Sequence, residues 1–452
     1  MRMNKVKLRA RIILLMLLIL LLMVVIFIFR WVNHGAEWAS STLNSHIYEG
    51  TLLVSGQIVD RNGVVLLSTD SSGQRVYHED GSVRRATLHA VGDLQGNIAG
   101  GAQNYYRDKL AGYSFFDGVY SLRGQGGKLW LSIDAQLNRV AYEALDGRKG
   151  CVAVYDYSNG QMVTMVSSPG FDPANAAEAG SGSGEYINRV IGSCFVPGSI
   201  FKLVTMAAAL ENISGIEQRS FVCNGSISYD DGTVNCTAVH GEQDIYDILA
   251  NSCNCAFAEL AQELGGQVLA EYAFDSGMCG SVIVSGQKSA EGCFEIAEQG
   301  SADLSWSGIG QYHDMVNPAA VLQLMGAIAN DGVGEAPRLI RKVTNNIGLP
   351  VQFVSGEAVR LLQKDTAVML KSMMANNVAE NYGKENFPGL NLCAKSGTAE
   401  VDGSTPHAWF VGFLDDEQYP LAFVVLVENG GWGSTVAGSV ANRVLQAAVN
   451  VI

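Results

Sequence analysis

Three short strings, far apart in the chain, carry residue types that can do chemistry together: Ser199-Ile200-Phe201-Lys202, Ser252-Cys253-Asn254 and Lys395-Ser396-Gly397-Thr398. In the first, a hydroxyl and an amine stand three residues apart, which on a helix puts them on one face, one turn from each other. A serine hydroxyl is a weak nucleophile until a base takes its proton, and an amine can do so only when uncharged. Lys202 must therefore lie below the usual lysine value of about 10.4, through burial or through a second cation, for which Lys395 is the candidate. The second string supplies Ser252, a hydroxyl able to bridge Lys202 and a leaving nitrogen, and Asn254, an amide able to hold a peptide carbonyl. The third supplies Lys395 as charge for a terminal carboxylate, with the hydroxyls of Ser396 and Thr398 as donors. Gly397 there lets a substrate backbone come close. Backbone N–H groups of Ser199 and Thr398 are candidates for an oxyanion hole. The sum is acyl transfer through a serine ester, with no histidine, metal or cofactor required.

Each string alone has a plainer reading: a chance pair on a helix, an N-cap followed by a surface asparagine, ordinary turn chemistry. What makes them specific is their order and the element each falls on. Ser199 opens an alanine-rich apolar helix that follows Pro197-Gly198 and runs through Leu210. Ser252 falls near the start of a second helix, expected over residues 248–264. Further helices are expected from Pro318 to Asn330, stopped by Asp331-Gly332, and from Ser355 to Met374. Strand patterns cover Leu392 to Ser396, Ala408 to Leu414 and Leu421 to Glu428, before a last helix from Gly438 to Val449. Upstream, Leu129 to Ile133 reads as a strand and Asp134 as the cap of a helix ending near Leu145. Cys151 to Tyr155 and Met162 to Val166 form a hairpin about Asn159-Gly160, and residues 179–185 a flexible loop. Gly56 to Leu66 reads strand, Asn-Gly turn, strand. From there to about Gln125 the chain is an irregular, β-rich pedestal. Strands at both ends around a block of helices predict an α/β (α+β) sheet with a helical subdomain.

The N-terminus has a different character. Arg2, Lys5, Lys7, Arg9 and Arg11 precede an unbroken apolar run, Ile12 to Phe29, closed by Arg30. Its 18 residues just cross a hydrocarbon layer of about 30 Å. A core helix would carry a polar face, and a cleaved leader would have a shorter apolar stretch and a small-residue site, which Trp31 to Trp38 lacks. The reading is an uncleaved anchor with residues 1–11 cytoplasmic, 12–29 in the membrane and all that follows outside. The net charge of −14 argues against a nucleic-acid partner. Nine cysteines leave at least one unpaired within the chain. Cys223 and Cys236 flank a hairpin and could bridge. A zinc site from these, Cys253, Cys255 and His240 lacks any Cys-x-x-Cys pair, so the thiols read as small buried hydrophobes and no metal is expected.

The three strings in this order resemble the penicillin-binding proteins, and among them the monofunctional class B D,D-transpeptidases. Gly56-Gln57-Ile58-Val59-Asp60-Arg61-Asn62-Gly63 resembles the segment after the anchor in that class, although Ser55 stands where an arginine is usual. Asn188-Arg189, Phe195 to Ser199, Gly308 to Gln311 with Asn317-Pro318, Gly397 to Glu400 and His407 to Gly412 are similar to other family segments. The likeness spans residues 50–452 and is strongest from 130 onward. It implies a transpeptidase domain over residues 126–452 with a five-stranded antiparallel sheet flanked by helices, an all-helical subdomain, and a pedestal over residues 30–125. It implies that Ser199 attacks the penultimate D-alanine carbonyl of a peptidoglycan stem peptide, that D-alanine leaves, and that a neighbouring stem amine takes the acyl group. β-Lactams would acylate Ser199 stably. Some 95 residues between anchor and catalytic domain leave no room for a glycosyltransferase, so a membrane glycosyltransferase is the expected partner. The rival readings are a non-catalytic scaffold of the wall-building machinery and a membrane-anchored class D-like β-lactamase.

Overall fold

A computed structural model of the chain describes residues 2–39, 56–70, 74–111, 126–175, 180, 182, 184–345, 348–353, 356–401 and 403–451. The expected N-cap at Ser355 and part of the 179–185 loop lie outside these residues.

A five-stranded antiparallel sheet forms the centre. Its spatial order is Leu392–Val401, Ser404–Leu414, Leu421–Val427, Gly150–Asp156, Met162–Ser168. Side chains on successive residues point to opposite faces, and both faces here are apolar and buried. Phe410, Phe423, Val425 and Ala394 pack with Leu137 and Leu145 of helix Ala135–Leu145 and with Val444 and Leu445 of helix Gly438–Val451. Trp409, Val411, Val424 and Cys393 join the opposite core, which holds helices Lys202–Asn212, Pro318–Ala329 and Lys364–Asn377. This alternation decides where Lys395 goes. It pairs with Val411 in register, so its side chain is directed into the helical side and not toward the outer layer.

Leu392–Val401 is an edge strand, and the turn bearing Ser199 is packed against it. The Trp409 indole N–H donates to Val196 O at 2.9 Å, pinning the approach to that turn onto the neighbouring strand. Gly198 has φ +55°, and a Cβ on it would stand 2.8 Å from Thr398 O. A side chain at this position would be both conformationally strained and in collision with the edge strand.

A second, six-stranded sheet joins early and late segments in the order Pro350–Phe353, Ile340–Thr344, Lys128–Leu131, Gln57–Val59, Val65–Thr69, Arg75–Tyr77. Gln57–Val59 runs parallel to Lys128–Leu131, so the pedestal segment is built into a sheet with strands from both ends of the helical block. The expected strand-turn-strand at 56–66 is present, as Gln57–Val59 antiparallel to Val65–Thr69. The pedestal also contains the helix Gly81–Val91, which the sequence reading passed over.

Two helices depart from expectation. The one placed over 248–264 is broken into Ile245–Ala250 and Asn254–Leu264. The one expected from Ser355 begins only at Lys364, because Ala358–Arg360 pairs with Val333–Glu335 as a strand. The helix capped by Asp134 is as expected: its carboxylate accepts from Gln136 N at 2.9 Å and Leu137 N at 2.8 Å, and it also accepts from Asn62 Nδ2 at 2.7 Å. Loss of a cap of this kind costs about 1–2 kcal/mol. Asp134→Ala is therefore expected to lower the free energy of unfolding by that much, read as a lower denaturant midpoint at unchanged slope, and an unchanged midpoint would contradict the role given to the cap.

Candidate active site

The break between the two short helices is where the candidate catalytic side chains converge. Ile245–Ala250 opens with a capping box between Asp244 and Asp247 and ends as Ser252 takes a left-handed conformation, φ +50°. A left-handed non-glycine residue costs about 1–2 kcal/mol, and here the turn gains a converging set of acceptors in return. Lys202 Nζ donates to Ser252 O at 2.6 Å, to Ser252 Oγ at 3.1 Å and to Asn254 Oδ1 at 2.7 Å. A continuous helix would have tied up the Ser252 carbonyl and turned its hydroxyl aside.

Lys395 Nζ reaches the same hydroxyl, at 3.1 Å, and donates to Ser396 O at 2.8 Å. Both lysines are 0% exposed, and among the described residues neither has a carboxylate partner within 4.0 Å. Two amines bound to one oxygen at these lengths are at most about 6 Å apart. At an effective dielectric of about 20, two positive charges so placed repel by roughly 3 kcal/mol. Burial alone already disfavours each charged form. Burial pulls the Lys202 amine down to about 8. Lys395 is driven well below the usual lysine range, first by burial and then by the charge on Lys202. The direction of this coupling differs from the sequence expectation, in which Lys395 depresses Lys202. Lys202 has three acceptors and Lys395 two, which likewise favours charge on Lys202.

Ser199 lies in the tight turn Gly198–Ile200, ahead of the helix that begins at Lys202. Its Oγ has no hydrogen-bond partner among the described residues, and none of the three Lys202 bonds goes to it. Ser199 faces a cleft of about 290 Å³ that Ser252, Asn254, Ser396 and Thr398 also line. Five of the eight residues singled out in the sequence thus line one cleft, with Lys202 and Lys395 buried beneath it. Gly397 is the exception. A Cβ there would come within 2.9 Å of Ile200 Cγ2 and 3.1 Å of Pro197 O, so the backbone that approaches it is the nucleophile turn. Asn254 Oδ1 positions Lys202, and its Nδ2 spends one of its two N–H donors on Asn235 O at 2.8 Å, so the second is the one that can reach a peptide carbonyl in the cleft.

Parity along the edge strand sets where the candidate oxyanion donor of Thr398 points. Ser396 N–H points away from the neighbouring strand, since it donates to Tyr382 OH at 2.8 Å. The strand period of two sends Thr398 N–H the same way, toward the Ser199 turn. Tyr382, which also donates to Ser396 Oγ at 3.0 Å, was invisible in the sequence. So was Asn377, buried, whose Nδ2 donates to Ala394 O at 3.0 Å and locks the strand just before Lys395. Trp432, 64% exposed on the cleft rim, was also missed. Its setting, Gly430-Gly431-Trp432-Gly433, is the one available signal.

Comparison with known proteins agrees with this geometry. Residues 150–446 match the family model for the penicillin binding protein transpeptidase domain. The chain belongs to the penicillin-binding proteins, class B. It is 27% identical to the peptidoglycan D,D-transpeptidase PbpA of Mycobacterium tuberculosis over 72% of this chain and 73% of that protein. Its identity to stage V sporulation protein D of Bacillus subtilis is 26%, over 82% and 64% of the two chains. Among solved structures, the D,D-transpeptidase domain from Eggerthella lenta superposes with a TM-score of 0.76 at 27% identity, covering 88% of this chain and 98% of that one. Penicillin-binding protein A of M. tuberculosis, as its penicillin G acyl-enzyme, shares the fold at TM-score 0.77 and 22% identity, over 87% and 99% of the chains.

A lysine pair that holds one proton can free Lys202 as a base by passing that proton to Lys395, and the proton is lost as pH rises through about 8. The second-order rate of acylation by a penicillin is therefore expected to fall, by up to about tenfold per pH unit, above that value. A rate that keeps rising from about pH 8 to pH 10 would contradict this route.

Proposed function

We propose that this penicillin-binding protein is a peptidoglycan D,D-transpeptidase working through a Ser199 acyl-enzyme. The observation that carries the reading is the hydroxyl of Ser252, held between two fully buried amines beside an unbonded serine. An arriving stem peptide places its terminal carboxylate against Lys395 and its penultimate carbonyl at the N–H groups of Ser199 and Thr398. The carboxylate favours charge on Lys395, so a proton moves from Lys202 through Ser252 Oγ to Lys395. The uncharged Lys202 then takes the Ser199 proton as Oγ attacks, the new C–O bond forms, and the C–N bond breaks. The leaving D-alanine amine receives its proton through Ser252. A neighbouring stem amine reverses the sequence and makes the cross-link. Asn254, Ser396 and Gly397 hold the parts in place. β-Lactams enter the same route and stop at the ester.

Among the described residues one helix, Arg2–Ala39, is long and apolar enough to cross a membrane: the most apolar 18-residue window within Met3–Gly35 has a mean hydropathy of 3.7. Extending this, residues 1–11 form a cytoplasmic tail, 12–29 the anchor, 30–125 the pedestal and 126–452 an extracytoplasmic catalytic domain. The basic tail supports that orientation. Glycan polymerisation then falls to a separate membrane glycosyltransferase.

Fluorescent penicillin is expected to label the purified chain, with the adduct mass on the peptide bearing Ser199, to persist for many minutes, and to vanish in Ser199→Ala. No labelling of folded protein favours a scaffold, and rapid release favours a β-lactamase; either overturns the reading. Ser252→Ala, which removes the relay but leaves the nucleophile, is expected to slow acylation by about 10²–10⁴-fold. A loss below tenfold would show that the proton takes another path.

A further inference from the structure

Beside the second motif lies a cluster that acyl transfer does not use. We propose that Cys223, Cys236, His240 and Cys253 form a binding site for one zinc ion, which staples the Ser252 turn to the adjoining wall of the cleft. All nine cysteines are free thiols. The ligand atoms of these four residues lie within 4.8 Å of one another. Cys236 Sγ is 3.9 Å from Cys253 Sγ and 3.5 Å from His240 Nδ1. Tetrahedral zinc, with Zn–S of about 2.3 Å and Zn–N of about 2.0–2.1 Å, needs edges of roughly 3.8 Å and 3.6 Å. The first separation is far beyond the about 2.05 Å of a disulfide.

The ligands arrive from three directions on fixed backbone. Cys223 ends the strand Phe221–Cys223 and pairs in register with Gly241, which places it beside His240. Cys236 follows the strand Thr233–Asn235 and is held by its N–H donating to Gly225 O at 2.8 Å. Cys253 is the residue before the helix Asn254–Leu264. Asn254 N–H donates to Cys236 Sγ at 3.2 Å, the kind of outer bond that steadies a metal-bound thiolate. Three sulfurs and an imidazole select a soft or borderline cation over magnesium or calcium. Cys223 and Cys253 are buried while Cys236 and His240 are partly open, so the ion has a path in. Binding releases the three thiol protons and leaves zinc with three thiolates and one neutral imidazole.

The placement gives the ion a task. Cys253 stands between Ser252 and Asn254, so a metal bond to it fixes the left-handed turn. Thr237, between Cys236 and His240, lines the cleft. Bound zinc would also keep neighbouring thiols from pairing in an oxidising compartment.

The full chain, purified in detergent with reductant and without chelator, is expected to carry about one zinc per molecule by elemental analysis. Chelator-stripped protein titrated with cobalt(II) is expected to develop a thiolate-to-cobalt charge-transfer band and the strong visible bands of a tetrahedral site. Cys223→Ser and Cys236→Ser are expected to lose both, whereas Cys293→Ser, at an exposed thiol outside the cluster, keeps them. Wild-type protein that stays folded, yet holds no zinc and takes up none from zinc-supplemented buffer, would overturn the site. So would a wild-type cobalt spectrum without the charge-transfer band, a result that stands even if the serine variants fail to fold. None of these readouts depends on acylation.

Discussion

Two lysine side chains with no exposure to solvent share one serine hydroxyl, and much of the fold is arranged so that they can. A buried ammonium is costly, and a second one within about 6 Å is more so. Proteins tolerate such a pair when charge is to be moved. The cost is met locally by four acceptors: the carbonyls of Ser252 and Ser396, the Ser252 hydroxyl and the Asn254 amide. Three of those four belong to Ser252 and Asn254. The helix there must break, and Ser252 must take a left-handed backbone, for carbonyl and hydroxyl to face the same amine.

The remaining architecture holds three separately folded pieces at that hydroxyl. The sheet's alternation sends Lys395 to the helical side, and Asn377 and Tyr382 fix the strand on either side of it. The nucleophile turn is pressed against the same strand at two glycines, 198 and 397, where a methyl group would collide. Trp409 ties that turn to the neighbouring strand. In the proposed mechanism, substrate binding at Lys395 and activation of Ser199 by Lys202 are thereby joined through one oxygen.

Much of this was legible in the sequence because it is local. Ser199 and Lys202 declare their relation by helical spacing, Asp134 announces a helix start, and the three C-terminal strands alternate plainly. That Lys395 and Ser396 lie on a strand follows from the same alternation, but the glycine after them, read as a place for substrate, receives the Ser199 turn instead. What stayed hidden depends on tertiary partners. A continuous helix over 248–264 is what local propensity favours, and only Lys202 gives Ser252 a reason to interrupt it. Tyr382 and Asn377 lie in a helical stretch with no pattern to mark them. The thiol cluster has no compact signature, because its ligands are brought together by the pairing of Phe221–Cys223 with Gly241–Gln243 and by the same helix break. The coupling between the lysines was expected, but its direction follows from counting acceptors, which needs coordinates.

The central claim concerns protons, and it can be read without any reaction. Side-chain NMR of lysines labelled at Cε and Nζ would follow both amines across pH in the resting protein, with Lys395→Ala and Lys202→Ala to assign them. The account predicts that one resonance titrates near pH 8, that the other loses its proton well below that, and that Lys202→Ala raises the value of Lys395 whereas Lys395→Ala leaves Lys202 near 8. Two amines that both stay protonated beyond pH 10, each indifferent to loss of the other, would contradict it.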